Sequence, residues 1–182
     1  MPKIYLVRHG KAAAGWDADP DPGLDDLGRK QSIQAAESLA PVGPLDIVSS
    51  PLARTRETAI PLAELWQRTP RIETRVAEIP SPTEDLSERA EWLRGVMGDI
   101  WTNQSQELLT WRQGIIDALY ALEKDTVIFS HFIAINAIAG KAAGDERVVG
   151  FLPDNGSITI IETRDNGILM VERGIEAGTK VN

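Results

Sequence analysis

At residues 3–11 the sequence reads Lys3-Ile4-Tyr5-Leu6-Val7-Arg8-His9-Gly10-Lys11, an apolar run followed by two basic side chains and a glycine. The apolar part, 4–7, is rich in residues that favour β-structure and predicts a buried strand. Gly10 suits a sharp turn directly after it. A guanidinium beside an imidazole is a poor fit for a protein core. At the carboxyl end of a strand, where open α/β sheets bind their ligands, the same pair can bind a phosphate.

The second histidine stands in the same position relative to a second apolar run. The chain has two histidines, and the other one, His131, directly follows Thr126-Val127-Ile128-Phe129-Ser130. Two strands therefore each carry a histidine at the carboxyl end. We expect the two imidazoles to converge on one anion site at that edge of the sheet.

Composition limits the kind of protein this can be. A length of 182 residues predicts one domain, 1–182. The net charge of −8 argues against nucleic acid or an anionic membrane as a partner, because both require a basic surface. Without cysteine, there are no disulfides, thiolate nucleophiles or cysteine-bound zinc. No signal peptide or membrane-spanning stretch is visible, so a cytoplasmic location is expected, whereas the oligomeric state is not readable.

Predicted strands and helices alternate along most of the chain. Strands are predicted at 4–7, 45–48, 71–76 and 126–129, and helices at 26–40, after Ser49-Ser50-Pro51, after Ser81-Pro82-Thr83-Glu84, at 105–123 and at 133–143. Two last strands, 157–162 and 168–172, are joined by a hairpin at Asn166-Gly167, before a loose tail from Gly174 to Asn182. The pattern predicts an α/β fold: a three-layer αβα sandwich with a mainly parallel central sheet, an antiparallel edge and a C-terminal hairpin.

Five side chains at the predicted strand ends and in one helix turn can perform chemistry: Arg8, His9, Arg54, Glu78 and His131. Guanidiniums bind phosphate through charge-assisted, bidentate hydrogen bonds. A neutral imidazole nitrogen can attack phosphorus, and a carboxylic acid can protonate the leaving oxygen and then activate water. The set predicts phosphoryl transfer in two steps without a metal or other cofactor. P-loop, G-x-G-x-x-G and G-x-S-x-G motifs are absent from the sequence.

Arg54 lies at a position in the chain where a positive charge is unfavourable for helix stability. It lies with Arg56 in the first turn of a predicted helix, and a cation there opposes the helix dipole. Anions collect at helix N-termini, so the conflict indicates a functional site. Arg56 fits a surface residue or an ion-pair partner better.

The motifs also resemble a known family. Leu6-Val7-Arg8-His9-Gly10 resembles the first motif of the histidine phosphatase superfamily, whose members include the cofactor-dependent phosphoglycerate mutases. The stretch 49–59, from Ser49 to Ala59, is similar to the second motif, and Ile128-Phe129-Ser130-His131 is similar to the third. Residues 24–31 resemble the family's helix opening. The motifs occur in the family's order and identify a short, phosphatase-type member.

The resemblance implies a role for each of the five residues. His9 would be the nucleophile that forms a covalent phosphohistidine, and Glu78 would be the general acid. The phosphoryl group would be held by Arg8, Arg54, His9 and His131. Three other carboxylates remain rivals for the acid: Asp17, Asp25 and Glu84.

Departures from the family pattern leave alternatives open. Ala12, Ala13 and Ala14 replace the hydroxyl and amide side chains that many members carry after the first motif, and Trp16 stands in that loop. The segment expected to cap the pocket, about 79–105, is short and favours an open site and hydrolysis. The leading interpretation is a phosphomonoester hydrolase acting on a phosphorylated small molecule or a phosphoprotein. A phosphoglycerate or phosphosugar mutase and a catalytically weak phosphate-binding protein are the alternatives.

Overall fold

A computed structural model describes residues 1–178, and within them the chain forms one six-stranded sheet. The strands are β1 (Lys3–Arg8), β2 (Asp46–Ser49), β3 (Arg71–Ile72), β4 (Thr126–Ser130), β5 (Ile158–Arg164) and β6 (Gly167–Glu172). Their order is β3-β2-β4-β1-β5-β6. The first four strands in chain order are parallel, and the terminal hairpin β5–β6 runs antiparallel to β1. The expected architecture is confirmed.

Within residues 1–178, five helices cover the two faces of this sheet: α1 (Asp26–Leu39), α2 (Ala53–Trp66), α3 (Leu86–Met97), α4 (Gln106–Tyr120) and α5 (Phe132–Ala143). Alternate residues of β1 supply two separate cores because successive side chains of a strand point to opposite faces. Tyr5 and Val7 pack with α1 and α2, whereas Ile4 and Leu6 pack with α3, α4 and α5. The strand that carries His9 is therefore anchored from both sides.

The predicted third strand is much shorter than expected. Only Arg71–Ile72 pairs with β2, and residues Thr74–Val76 form a 3-10 turn. The Glu73 side chain accepts a hydrogen bond from the Arg75 backbone nitrogen at 3.1 Å, which turns the chain out of the strand. At the last residue of the turn, the Val76 carbonyl accepts a hydrogen bond from Ser130 Oγ at 2.7 Å, which links the segment before Glu78 to the end of β4.

Two helices begin later than their sequence signals predicted. Helix α3 begins after Asp85, whose Oδ1 accepts from the backbone nitrogens of Ser87 at 3.0 Å and Glu88 at 3.1 Å. Residues 81–84 do not act as a capping box, because Ser81 Oγ donates to the Thr83 carbonyl at 2.7 Å and closes a turn of its own.

The start of α2 is stabilised by a residue from another segment. The helix begins at Ala53, and the Ala53 backbone nitrogen donates to Asp21 Oδ1 at 2.8 Å. Asp21 belongs to the loop that follows His9. The predicted serine cap is wrong, because Ser50 lies before the helix and its hydroxyl contacts His131.

The end of the described chain is held in place. The Ile175 carbonyl accepts a hydrogen bond from the Asp154 nitrogen at 2.9 Å, and the Ala177 nitrogen donates to the Leu152 carbonyl at 2.8 Å. The expected loose tail is thus wrong for 174–177, and positions 179–182 lie outside the described residues. No helix in residues 1–178 has the length and apolarity required to cross a bilayer.

Candidate active site

The structure brings the five predicted residues to one edge of the sheet. β1 and β4 are parallel neighbours with Arg8 opposite Ser130, so the residues that follow them, His9 and His131, lie side by side. The centres of the two imidazole rings are 5.3 Å apart. The backbone nitrogen of His9 donates to the Ser130 carbonyl at 3.1 Å.

The hydrogen bonds of His9 define its tautomer. Nδ1 lies 2.7 Å from the Gly10 carbonyl oxygen, which can only accept, so Nδ1 carries the proton. Arg54 Nε, which can only donate, lies 3.2 Å from His9 Nε2. Nε2 is therefore unprotonated, and its lone pair accepts the hydrogen bond from Arg54 Nε. Burial lowers the pKa of His9 from 6.5 to about 3, and the positive charge of Arg54 adds to the shift, so the ring is neutral at physiological pH.

Further contacts hold the His9 segment rigidly. Asn155 Nδ2 donates to the His9 carbonyl at 3.0 Å, and the Gly10 nitrogen donates to Thr58 Oγ1 at 3.0 Å. Thr58 Oγ1 donates in turn to the Arg54 carbonyl at 2.6 Å. His9 and the arginine that contacts it are thus linked through one threonine, which fixes their relative positions.

Gly10 is required for close packing rather than for an unusual backbone angle. The glycines with positive φ in the described chain are Gly144, Gly156 and Gly167. A Cβ on Gly10 would collide with the Gly28 carbonyl oxygen, and a Cβ on Gly28 would collide with the Lys11 carbonyl oxygen. The first turn of α1 therefore packs directly on the backbone that follows His9.

Arg54 is buried and Arg8 is half-buried, and both have donor atoms to spare. Arg8 Nη1 donates to the Pro153 carbonyl at 2.7 Å, and its guanidinium lies 5.0 Å from the centre of the Phe132 ring. Within residues 1–178, Arg8 Nε is buried and has no hydrogen-bond partner. Burial lowers the pKa of both Arg8 and Arg54 from the usual value, but arginine stays charged in proteins. The edge therefore concentrates positive charge beside two neutral imidazoles.

His131 is completely buried between β4 and α5. Its Nε2 lies 2.8 Å from Ser50 Oγ, and its Nδ1 has no partner within the described residues. Burial lowers the pKa of His131 well below 6.5, with smaller contributions from His9 and Arg54. The unpaired nitrogen is a group that a bound anion could satisfy.

Glu78 is a buried carboxyl group at the N-terminus of α5. Its Oε2 accepts from the Ile133 nitrogen at 3.1 Å, and its Oε1 accepts from the nitrogens of Ala134 at 3.1 Å and Ile79 at 3.0 Å. Burial raises the pKa of Glu78 and outweighs these hydrogen bonds and the charge of Arg54, which act in the opposite direction. A raised pKa suits a general acid.

The rival carboxylates are placed differently. Asp17 and Glu84 are exposed, and Asp25 Oδ1 caps α1 by accepting from the Gly28 nitrogen at 2.7 Å. Arg56 is exposed, as expected. Lys11 forms an ion pair with Asp25 at 3.2 Å.

A cavity of about 170 Å³ opens above the arginines and His9. One wall is the loop after His9, with Trp16, and the opposite wall is α3, with Arg89, Leu93 and Met97. The guanidinium carbons of Arg54 and Arg89 lie 5.7 and 5.0 Å from the centre of the Trp16 ring. The cavity is mostly apolar, and Arg89 adds a third guanidinium to its lining.

Comparison with known proteins places this site in a family. A profile of the histidine phosphatase superfamily (branch 1) matches residues 4–175. The chain belongs to the histidine phosphatase superfamily. It is 39% identical over 80 residues to a glucosyl-3-phosphoglycerate phosphatase of Mycolicibacterium vanbaalenii, a match that covers 42% of this chain and 36% of the relative. The matched segment thus spans little more than a third of the curated relative.

Solved structures share the fold. Bacillus stearothermophilus YhfR superposes with a TM-score of 0.79 at 16% identity, over 98% of both chains. A mycobacterial glucosyl-3-phosphoglycerate phosphatase in complex with VO3 superposes with a TM-score of 0.73 at 22% identity, over 98% of this chain and 100% of that one. The resemblance to the superfamily expected from the motifs is confirmed.

Several residues at the candidate site of this superfamily member were not identified from the sequence. Thr58 lies within the second motif, but nothing in its spacing reveals its contact with Gly10. Asn155 lies in a stretch interpreted only as irregular. Arg89 could have been found, because it precedes Leu93 and Met97 at helical intervals of four residues on the same stripe.

Proposed function

We propose that the protein is a phosphomonoester hydrolase that works through a covalent phosphohistidine on His9. The proposal rests on one observation above all. The buried, neutral His9 ring is held by Gly10 at Nδ1 and presents an unprotonated Nε2 to the Arg54 guanidinium at 3.2 Å. A nucleophile and a phosphate-binding cation thus share one small space.

The reaction would proceed in two displacements. The Nε2 lone pair attacks phosphorus, the bond to the leaving oxygen breaks, and Glu78 supplies the proton that this oxygen takes up. Water then attacks the phosphohistidine, Glu78 accepts its proton, and the nitrogen–phosphorus bond breaks to release inorganic phosphate. Arg8, Arg54 and His131 would stabilise the charge on the equatorial oxygens in both steps. Neither step requires a metal ion.

The cavity favours a small phosphorylated metabolite as the substrate. Residues 79–105 would act as the cap, since α3 supplies one wall. The apolar surfaces of Trp16 and Phe132 would contact the leaving group, and Arg89 would bind an acidic substituent on it. Three of the curated relatives are named glucosyl-3-phosphoglycerate phosphatase. A phosphoprotein substrate is the alternative, and the cytoplasmic location stays a prediction.

Rapid quenching tests the proposed intermediate. Wild-type protein mixed with a 32P-labelled monoester should carry acid-labile, base-stable phosphate, and turnover should persist in EDTA. His9→Ala should lose both the label and the turnover. Full activity in His9→Ala, or loss of activity on chelation, contradicts the proposal. Phosphoglycerate interconversion that depends on a bisphosphorylated primer would indicate a mutase. Protection by phosphate against thermal unfolding without turnover would indicate a binding protein.

Substrate pairs test the role of Arg89. Glycerol 3-phosphate and 3-phosphoglycerate differ chiefly by a carboxylate. Arg89→Met should raise KM for 3-phosphoglycerate by roughly tenfold and leave glycerol 3-phosphate nearly unchanged, because a charge-assisted hydrogen bond is lost only with the acid. Arg94→Met is the matched control, since Arg94 is an exposed arginine of the same helix. Equal effects of Arg89→Met on both substrates would mean that Arg89 does not contact the carboxylate.

A further inference from the structure

Ser50 occupies an unusually well-fixed position beside His131. Its backbone nitrogen donates to the Phe129 carbonyl at 3.0 Å. Its carbonyl accepts from two hydroxyl groups, Ser49 Oγ at 2.8 Å and Thr55 Oγ1 at 3.1 Å. Ser50 is fully buried, so its side chain is confined as well as its backbone.

The Ser50 hydroxyl has two neighbours in the described chain. It accepts from the Leu52 nitrogen at 3.3 Å, and it lies 2.8 Å from His131 Nε2. Because the Leu52 nitrogen can only donate, the hydroxyl proton is left for His131. Nε2 would then accept a hydrogen bond from the Ser50 hydroxyl, and the neutral ring would carry its own proton on Nδ1.

The opposite tautomer leaves more polar groups unsatisfied. If Nε2 were protonated, it would donate to Ser50 Oγ, and the Ser50 proton would have no acceptor within residues 1–178. Nδ1 would also be a buried acceptor without a partner within residues 1–178. A buried polar group without a partner costs about 1–3 kcal/mol. The tautomer with the proton on Nδ1 of His131 leaves fewer buried polar groups without a partner and is therefore favoured.

We propose that Ser50 is a positioning residue that sets the tautomer of His131, so that His131 Nδ1–H donates to an oxygen of the bound phosphoryl group. The inference rests on the proposed function, because the unpaired Nδ1 is satisfied only when an anion is bound. His9 and His131 then work as a complementary pair of neutral imidazoles. His9 offers a lone pair to phosphorus, and His131 offers a proton to oxygen.

The two histidines allow a direct test. Full-length protein labelled with 15N-histidine gives two imidazole patterns in a long-range 1H–15N spectrum, and His9→Ala assigns them. In the wild type, Nδ1 of His131 should show the shift of a protonated nitrogen and Nε2 that of an unprotonated one. Inorganic phosphate should move the Nδ1 signal of His131. A protonated Nε2 in the wild type, or no response of His131 to phosphate, overturns the proposal without any variant at Ser50.

Ser50→Ala should give a mixture of tautomers at His131 and weaken phosphate binding by about three- to tenfold, the usual effect of losing one hydrogen bond. Ser49→Ala is the matched control, because it removes a neighbouring buried hydroxyl that does not touch the ring, and Thr55 still donates to the Ser50 carbonyl. An unchanged tautomer and affinity in Ser50→Ala overturns the proposal. Turnover through phospho-His9 with a protonated Nε2 on His131 would refute this inference alone. The expected tautomer without any phosphohistidine would refute only the proposed function.

Discussion

At the scale of single residues, the site depends on ionisable side chains that are buried. Arg54 donates a hydrogen bond to His9, and Glu78 lies where burial raises its pKa. Neighbouring residues of the same type lack these environments. Arg56 stands two positions from Arg54 but is exposed, so the two arginines provide an internal comparison.

Arg54→Gln should lower kcat/KM by about 100-fold or more, because it removes a preorganised cation from the developing negative charge. Arg56→Gln removes the same charge from the same helix turn and should stay within about twofold, as an exposed pair contributes little. Steady-state hydrolysis of one monoester by both variants provides the comparison. Similar losses in the two variants would mean that Arg54 acts only through the overall electrostatic potential of the protein, and not through a direct contact with the phosphoryl group.

Glu78→Gln should lower kcat by roughly 100-fold or more for alkyl phosphates, which need a proton on the leaving oxygen, and much less for 4-nitrophenyl phosphate. The acid works only while protonated, so wild-type activity on alkyl phosphates should fall as pH rises through the raised pKa of Glu78. Rate profiles against pH for both substrates measure this. The assignment of Glu78 fails if the two leaving groups respond equally to Glu78→Gln.

At the scale of elements, the site is joined by contacts between segments that are far apart in the chain. Asp21 caps α2 from the loop after His9, and Glu78 caps α5 from the end of a 3-10 turn. The sequence predicted both helices, but it assigned the wrong start to α2. The sequence offered Ser50 as a local cap. In the folded chain, the Asp21 carboxylate accepts the hydrogen bond from the Ala53 nitrogen instead.

Asp21→Ala should reduce the free energy of unfolding by about 1 kcal/mol, the usual cost of losing a helix cap. Asp17→Ala changes an exposed aspartate of the same loop and should stay within about 0.5 kcal/mol. Urea denaturation monitored by tryptophan fluorescence measures both. Equal effects would show that the contact with the Ala53 nitrogen does not stabilise α2.

At the scale of the whole molecule, an acidic protein with a net charge of −8 encloses a positively charged edge with two neutral histidines. The pKa of His9 is lowered to about 3 and that of His131 also lies well below 6.5. Below pH 6.5 the unfolded chain therefore binds protons at these positions that the native state does not bind. Their contribution to stability is present above pH 6.5 and is lost as the pH falls towards the native pKa values.

Between pH 6.5 and 5, the free energy of unfolding of the wild type should therefore fall more steeply than that of His9→Gln. The difference in slope should approach about 1.4 kcal/mol per pH unit, the value for one histidine that stays neutral. Glu78 has the opposite effect because its pKa is raised, and comparing the two proteins cancels this contribution. Urea titrations at three pH values measure the slopes. Parallel curves would mean that His9 is protonated in the native state.

The amino-acid sequence by itself determined the layered α/β fold and the five residues at one edge of the sheet. Both follow from local patterns, namely apolar periodicity and the side chains that end each strand. Only the tertiary structure decided which nitrogen of His9 is unprotonated, how deeply Glu78 is buried, and that Trp16 and Arg89 line one cavity. These properties depend on hydrogen bonds and desolvation between residues such as 9, 54 and 131, and their distances exist only once the chain has folded.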